Sequence, residues 1–140
     1  MVTVVSGENK RKHLEFIQAV INRMAGNLFY LKGWAITLIA GLFALAAKDS
    51  NPKFFALAFG VAVVLWLVDG YFLRQERLFR SLYDHARELE EHKVDFSLHT
   101  DPFKDVPRNK WYRCVFSLTL LLFYLPLVLL MILVIKFLGS

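Results

Sequence analysis

Residues 28–73 read LFYLKGWAITLIAGLFALAAKDSNPKFFALAFGVAVVLWLVDGYFL, and this stretch decides the fold of the chain. It contains two apolar segments of 20 residues each, 28–47 and 54–73, which are separated by the six residues 48–53. At about 1.5 Å of rise per residue, each segment forms a helix long enough to cross a hydrocarbon layer about 30 Å thick. A link this short between two such segments predicts an antiparallel helical hairpin.

A third apolar segment, 114–135, runs for 22 residues without a charged side chain. The chain has 140 residues, of which 56% are hydrophobic, and the apolar residues are concentrated in these three blocks. This composition is typical of a membrane protein. The first 27 residues lack the apolar core of a signal peptide, so residues 28–47 are expected to be kept as a span. We therefore predict one all-α membrane domain, residues 1–140, with three transmembrane helices.

The distribution of Lys and Arg predicts the orientation of the spans. Five of these residues precede or begin the first span and nine lie at positions 74–113, whereas the turn has two and the C-terminal tail one. Because short cytoplasmic segments carry the excess of positive charge, the N-terminus and residues 74–113 are expected to be cytoplasmic and the C-terminus outside. Five aromatic residues fall toward the same predicted interface: Trp34, Trp66, Tyr71, Trp111 and Tyr112.

The first helix is expected to begin well before its span. Its apolar positions alternate at spacings of three and four residues, which is the pattern of one face packed along another helix. These positions are Leu14, Ile17, Ile21, Met24, Leu28, Leu31, Ala35, Leu38, Leu42 and Leu45. They predict one helix over residues 12–47, with its span at 28–47.

The second helix is expected to run past its span in the same way. After the span at 54–73, the leucines at 78, 82 and 89 continue an apolar face among charged residues, which predicts a helix over 54–92. Residues 12–27 and 74–92 would then pack together as a cytoplasmic helical collar. Two prolines interrupt the polar run 93–110, which we interpret as a cytoplasmic loop, and a third helix is predicted over 112–137.

Two charged residues lie within the apolar segments, Lys32 in the first and Asp69 in the second. Each is about 18 residues from the centre of the turn, so an antiparallel hairpin brings both to the same depth. Asp69 is then either a pore-lining or proton-sensitive acid, or one half of a structural ion pair in which the Lys32 chain extends toward the interface. Both alternatives place the pair at a pore mouth or in the hairpin contact, within or between protomers.

Small residues recur at four-residue spacing on both segments of the hairpin. Such faces let helices approach closely in lipid, so we expect them to make helix contacts within the hairpin or between protomers. The residues are Gly33, Thr37 and Gly41 on the first segment, and Ala56 and Gly60 on the second.

Four arginines follow the second span and are candidates for cytoplasmic lipid or ligand contacts: Arg74, Arg77, Arg80 and Arg87. They could anchor the chain to anionic lipid headgroups, or converge in an oligomer to bind a nucleotide. The positive charge is explained by topology, and no binding of duplex nucleic acid is expected.

No enzymatic activity, cofactor or metal site is predicted. The sequence contains no phosphate-binding Gly-rich loop and no nucleophile paired with a base in a known pattern. Histidines 85, 92 and 99 are seven residues apart, about 10 Å along a helix, which is too far to share one metal ion. The single cysteine, Cys114, excludes an intrachain disulfide.

The arrangement over about residues 12–92 resembles the SLATT-type effector domains of small bacterial membrane proteins. The shared features are a cytoplasmic helix that enters the first span, a short outer turn, and a second span that continues into an Arg-rich helix. Residues 23–34, RMAGNLFYLKGW, are also similar to the start of the first span in RipA-family oligomeric membrane proteins. The third span departs from a two-span SLATT unit.

The resemblance implies a homo-oligomer in the bacterial inner (plasma) membrane, with links to anti-phage defence and to nucleotide signals. The first hypothesis is a channel or membrane-perturbing effector, controlled by a cytoplasmic protein or nucleotide. The alternative is a non-conducting scaffold or accessory subunit, which presents the collar to a protein partner. In both hypotheses the chain is in contact with membrane lipids.

Overall fold

The computed structural model describes residues 7–49 and 51–138, and most of them are helical. No strand occurs within these two ranges. Three single-turn 3₁₀ helices lie between the second and third α-helices: Glu91–Lys93, Asp101–Phe103 and Pro107–Asn109. The α-helices are α1 (Glu8–Asp49), α2 (Lys53–Glu88), α3 (Trp111–Val115) and α4 (Leu118–Leu138).

Three of these helices, α1, α2 and α4, are long and apolar enough to cross a membrane. The rest of the chain covers little of the most apolar stretch of each helix. Only 17%, 28% and 17% of these stretches is buried in α1, α2 and α4, respectively. Exposed apolar surface on this scale is stable in a hydrocarbon environment and unfavourable in water. The predicted class, an all-α protein with three membrane-spanning helices, is confirmed.

α1 and α2 form an antiparallel pair that is packed along its length. In the collar, Ile17 and Ile21 of α1 pack against Leu82 and Ala86 of α2. A second cluster surrounds Leu28 and Leu73, and a third, nearer the turn, joins Ile39 to Ala58 and Ala62. The extension of both helices beyond their apolar segments follows from these continuous contacts, because an isolated helix gains most of its stability from packing of an apolar face.

The face of α1 that packs on α2 differs from the predicted one near the turn. Ile17, Ile21, Leu28 and Ala35 are buried as predicted, but the buried positions then continue at Ile39 and Ala46. Leu38 and Leu45, which the repeat placed in the contact, are 44% and 45% exposed. A helix of 3.6 residues per turn drifts away from a strict seven-residue repeat. Within a span, lipid-facing positions are also as apolar as buried ones, so the spacing of apolar residues does not show which face packs on the other helix.

α2 ends at Glu88, earlier than the predicted end at residue 92. Leu89 is extended, and the Glu91 carboxylate lies at the first turn of α1, where it accepts hydrogen bonds from the backbone N–H groups of Asn9 (2.9 Å) and Lys10 (3.3 Å). The first N–H groups of a helix have no partner within the helix. Ending α2 at Glu88 therefore frees Glu91 to cap α1.

The single third helix predicted over 112–137 is instead two helices, α3 and α4, which are interrupted at Phe116 and Ser117. The Ser117 hydroxyl accepts a hydrogen bond from the N–H of Leu120 (3.5 Å) in the first turn of α4. The interruption also frees the carbonyl of Val115, which accepts a hydrogen bond from the indole N–H of Trp66 (2.8 Å). The break therefore exchanges a helical hydrogen bond for a contact with α2.

Candidate functional site

Lys32 on α1 and Asp69 on α2 form an ion pair within one protomer. The distance from Lys32 Nζ to Asp69 Oδ2 is 2.9 Å. The Asp69 side chain has 0% exposure, whereas that of Lys32 has 22%. The two residues, which the sequence placed at the same depth, are therefore in direct contact.

A third side chain completes this site. Tyr124 on α4 is fully buried, and its hydroxyl donates a hydrogen bond to the same oxygen, Asp69 Oδ2, at 3.0 Å. One carboxylate oxygen thus receives hydrogen bonds from α1 and α4 while it is carried by α2. We call Lys32, Asp69 and Tyr124 the buried triad.

Trp66 holds the Tyr124 ring in place. The two rings are stacked, with centroids 5.5 Å apart and planes 5° from parallel. The indole N–H of Trp66 is in turn hydrogen-bonded to the carbonyl of Val115. α3 approaches α2 closely at this height, because a Cβ added at Gly70 would lie 2.5 Å from Val115 Cγ2. These contacts set the position of Tyr124 relative to Asp69.

The surroundings of the buried triad are apolar. A cluster of buried residues packs around it: Leu28, Leu73, Cys114 and Leu120. Lys32 Nζ lies 5.6 Å from the centroid of the Phe123 ring, a distance at which the ring face attracts a cation. The second carboxylate oxygen, Asp69 Oδ1, is buried and has no hydrogen-bond partner among the described residues. Attraction between the opposite charges is stronger in such surroundings than in water.

The chemical consequence is a charged link among three helices. A buried carboxylate in apolar surroundings is costly unless it is paired, and here both its partners come from other helices. α1, α2 and α4 are therefore tied together at one point. In the single chain, the Asp69 carboxylate reaches no open surface.

The five small residues predicted to make helix contacts do not form the contact between α1 and α2. All five are exposed in the single chain: Gly33, Thr37, Gly41, Ala56 and Gly60. A Cβ added at Gly33, Gly41 or Gly60 would meet nothing within 4 Å. The hairpin uses another set of small residues, including Ala35, Ala58 and Ala62. The predicted set therefore lies outside the buried contact of the hairpin.

The four predicted arginines have different surroundings. Arg74 Nε donates a hydrogen bond to the carbonyl of Asn109 (3.0 Å), and Arg77 Nη1 donates one to the carbonyl of Arg108 (2.9 Å). These two residues therefore fasten the segment before α3 to α2. Arg80 is paired with Glu76 on its own helix (2.7 Å), and Arg87 is exposed.

Several residues of these sites were not predicted. Tyr124 was not predicted as the third member of the buried triad, and Trp66 was not predicted to stack on it. Arg108 was not predicted to lie beside the arginines of α2. A lone phenol within an apolar span is the signal that was overlooked, because a hydroxyl in hydrocarbon needs a hydrogen-bond partner. In the collar, His13 is also buried, with Nε2 3.0 Å from the carbonyl oxygen of Ser97.

No protein-family model matches the chain, and neither a curated protein nor a solved structure matches it.

Proposed function

We propose that this chain is a membrane scaffold: a non-conducting homo-oligomer of the bacterial inner membrane that presents its collar to a cytoplasmic protein partner. The N-terminus and the collar lie on the cytoplasmic side, and the C-terminus lies outside. The observation that carries the proposal is the complete burial of Asp69, with Lys32 and Tyr124 bonded to it in its own protomer. A carboxylate that is buried and paired in this way is unavailable to ions or water in a pore.

The construction of the collar supports this proposal. The connecting segment, residues 89–110, is held against α1 and α2 by side chains rather than left as a free loop. Glu91 caps α1, and the Asn109 side chain donates hydrogen bonds to the Ser81 hydroxyl (2.9 Å) and to the carbonyl of Phe103 (2.9 Å). An ordered polar surface of this kind is suited to binding a protein partner, because little order remains to be imposed on binding.

The exposed small residues support the homo-oligomer. Gly33, Thr37 and Gly41 are exposed in the single chain, and small residues on an exposed helix face permit close approach of another helix in lipid. In addition, only a minor part of the most apolar stretch of α1, α2 and α4 is buried within the chain. In this proposal, a second copy of the chain covers the exposed face. We propose no catalytic role and no cofactor.

The second candidate is a channel or membrane-perturbing effector of anti-phage defence, which is the function implied by the resemblance to SLATT-type and RipA-family proteins. The observation that favours it is the same exposed small face, since helices that pack closely around an axis also form pores. In this candidate, residues other than Asp69 line the path, and a protein or nucleotide bound to the collar triggers opening.

The experiment that separates the two is mass and conductance measured on one preparation. Native mass spectrometry of the detergent-purified protein gives the number of protomers, and the same preparation is then studied in planar bilayers. The scaffold predicts an oligomer without current steps, and recovery of a stoichiometric protein partner from cells in mild detergent. Discrete current steps from the wild-type oligomer would overturn the scaffold in favour of the channel.

A further inference from the structure

We propose that a cavity at the end of the second apolar segment binds a phosphate group, as found in the headgroup of an anionic lipid. The cavity, of about 410 Å³, is lined by Leu73, Glu76, Arg77, Arg80 and Arg108. We call it the arginine cavity. The inference rests on the proposed membrane insertion, but it holds for the scaffold and the channel alike.

Three guanidinium groups from two parts of the chain meet at the arginine cavity. Arg77 and Arg80 lie on one face of α2, and Arg108 comes from the 3₁₀ turn Pro107–Asn109. Guanidinium groups bind phosphate oxygens with paired N–H donors, so arginine is the residue best suited to this ligand. Convergence of residues 31 positions apart in the chain distinguishes this site from a row of arginines along one helix.

The arginines are held by contacts that leave donors for a ligand. Arg77 is held through Nη1 by the carbonyl of Arg108, and Arg108 through Nη2 by the Ser81 hydroxyl (3.0 Å) and the Asp84 carboxylate (3.2 Å). The other nitrogens of Arg77 and Arg108 make no hydrogen bond within the described residues. A guanidinium has five N–H donors, so each retains several. The side chains are positioned before any ligand binds, which lowers the entropy cost of binding.

Glu76 is the one carboxylate that lines the cavity, and it is paired with Arg80 through Nη2 (2.7 Å) and Nε (2.8 Å). A phosphate therefore competes with Glu76 for Arg80. The three arginines and Glu76 give the lining a formal charge of +2, which falls to +1 when Asp84, the partner of Arg108, is counted. An anion remains favoured, and Glu76 sets how strongly it is held.

The position of the cavity favours a lipid as the source of the phosphate. Leu73 is the last residue of the second apolar segment, and Arg77 and Arg80 follow it within about two helical turns. Exposed apolar side chains on the same helix, such as Val64 and Leu67, offer a surface along which acyl chains can lie. A headgroup phosphate at the membrane surface is thus brought to the height of the arginines.

The experiment measures retained lipid on the isolated protein. Protein is equilibrated with mixed phosphatidylglycerol and phosphatidylcholine in mild detergent, and bound lipids are counted by native mass spectrometry. We expect phosphatidylglycerol to be retained in preference. Arg77→Gln and Arg80→Gln should each lower its apparent affinity about fivefold, the effect of one cationic residue near an anionic membrane surface.

Two further variants make the test specific. Arg87→Gln removes the same charge from the same helix, but Arg87 does not line the cavity and lies about 10 Å along the helix beyond Arg80, farther than the Debye length of about 8 Å, so its effect on retention should be much smaller. Glu76→Gln should increase retention, because it releases Arg80. If the pair of Glu76 with Arg80 only stabilises the fold, Glu76→Gln should not increase retention, and this result would count against the inference.

A second arm separates the two sources of phosphate. Delipidated protein is melted with inorganic phosphate or with chloride at equal ionic strength. Stabilisation by phosphate that Arg77→Gln and Arg80→Gln abolish assigns the site to phosphate itself, whereas lipid selectivity without this effect assigns it to the lipid. Lipid retention and melting that are the same in wild type, Arg77→Gln and Arg80→Gln would overturn the inference. Neither arm depends on partner recovery or conductance, so the scaffold can fail while this site stands.

Discussion

At the scale of single residues, the two donors to Asp69 Oδ2 differ in their access to solvent. Lys32 has a partly exposed side chain, whereas Asp69 and Tyr124 are fully buried. The ammonium of Lys32 can move toward the interface on its flexible chain if its partner is removed. The carboxylate of Asp69 is fully buried on a short side chain and cannot reach solvent in this way. The two halves of the pair are therefore unequal in what their removal costs.

We accordingly predict that Lys32→Met destabilises the protein more than Asp69→Asn. Removal of one partner of a buried ion pair costs about 3–5 kcal/mol, and Lys32→Met leaves the buried carboxylate with Tyr124 as its remaining partner. Asp69→Asn keeps an oxygen for Tyr124 and should cost less. The measurement is the free energy of unfolding in mild detergent, followed by circular dichroism during titration with a denaturing detergent.

The double variant Lys32→Met with Asp69→Asn is the control for this prediction. Because it leaves no buried charge, it should be more stable than Lys32→Met alone. A double variant that is destabilised by the sum of the two single effects would contradict the pairing.

The buried triad also shows how far the sequence predicts a site. Equal distances of Lys32 and Asp69 from the turn are enough to place them at one height, because the rise per residue is the same in both helices. Tyr124 lies on another helix, whose height and rotation depend on the connecting segment of 22 residues and on the break at Phe116 and Ser117. No spacing in the sequence encodes either of these, so this partner could not be assigned.

At the scale of elements, the contact between α2 and α3 depends on a glycine. Gly70 is buried at the closest approach, where a Cβ would lie 2.5 Å from Val115 Cγ2 and 3.2 Å from Val115 Cα. The second distance involves backbone, so rotation of the valine side chain does not relieve the contact. α3 can carry the Val115 carbonyl to Trp66 because residue 70 has no side chain.

Gly70→Ala should therefore destabilise the protein by about 1–3 kcal/mol, the usual cost of overpacking, although alanine favours a helix more than glycine does. Gly60→Ala on the same helix is the matched control, because its Cβ would meet nothing within 4 Å in the single chain. The measurement is the melting temperature in detergent, together with tryptophan fluorescence, which reports the environment of Trp66. Equal melting temperatures for the two variants would contradict the close contact.

The ends of the helices were less predictable than their existence. Long apolar segments and a short turn predict α1, α2 and a third span from hydrophobicity alone. The end of α2 at Glu88 depends on Glu91 binding the N-terminus of α1, about 80 residues earlier in the chain. Local sequence cannot reveal such a distant partner. The rotation of α1 near the turn was missed because lipid-facing and buried positions have the same composition.

At the scale of the whole molecule, the proposed homo-oligomer leads to a prediction about the exposed small residues. The double variant Gly33→Leu with Gly41→Leu places large side chains where a second helix is expected to approach. Each protomer should still fold, since a Cβ at either glycine would meet nothing within 4 Å, while the oligomer should dissociate in native mass spectrometry. Val63→Leu, a change of an exposed apolar residue on α2, is the control. An unchanged oligomer in the glycine variant would exclude this face as the interface.

The proposed orientation leads to a separate prediction about labelling. Cys114 is buried and is the only cysteine, so Cys114→Ala provides a background without a reactive thiol. In that background, Asp49→Cys near the turn should react with a membrane-impermeant maleimide in intact spheroplasts. Lys104→Cys, an exposed position in the connecting segment, should react only after the membrane is disrupted. The reverse pattern would show that the collar lies outside.

The sharing of one Asp69 oxygen among three helices has a consequence for biosynthesis. Tyr124 is synthesised 55 residues after Asp69, which takes about 3–11 s at 5–20 residues per second. During this interval, Lys32 is the only member of the buried triad already present to neutralise the carboxylate as the hairpin leaves the translocon. We therefore expect Lys32 to keep Asp69 paired until the last helix is inserted. Ribosome-bound chains that end before α4 should insert the hairpin efficiently with Lys32 and poorly with Lys32→Met.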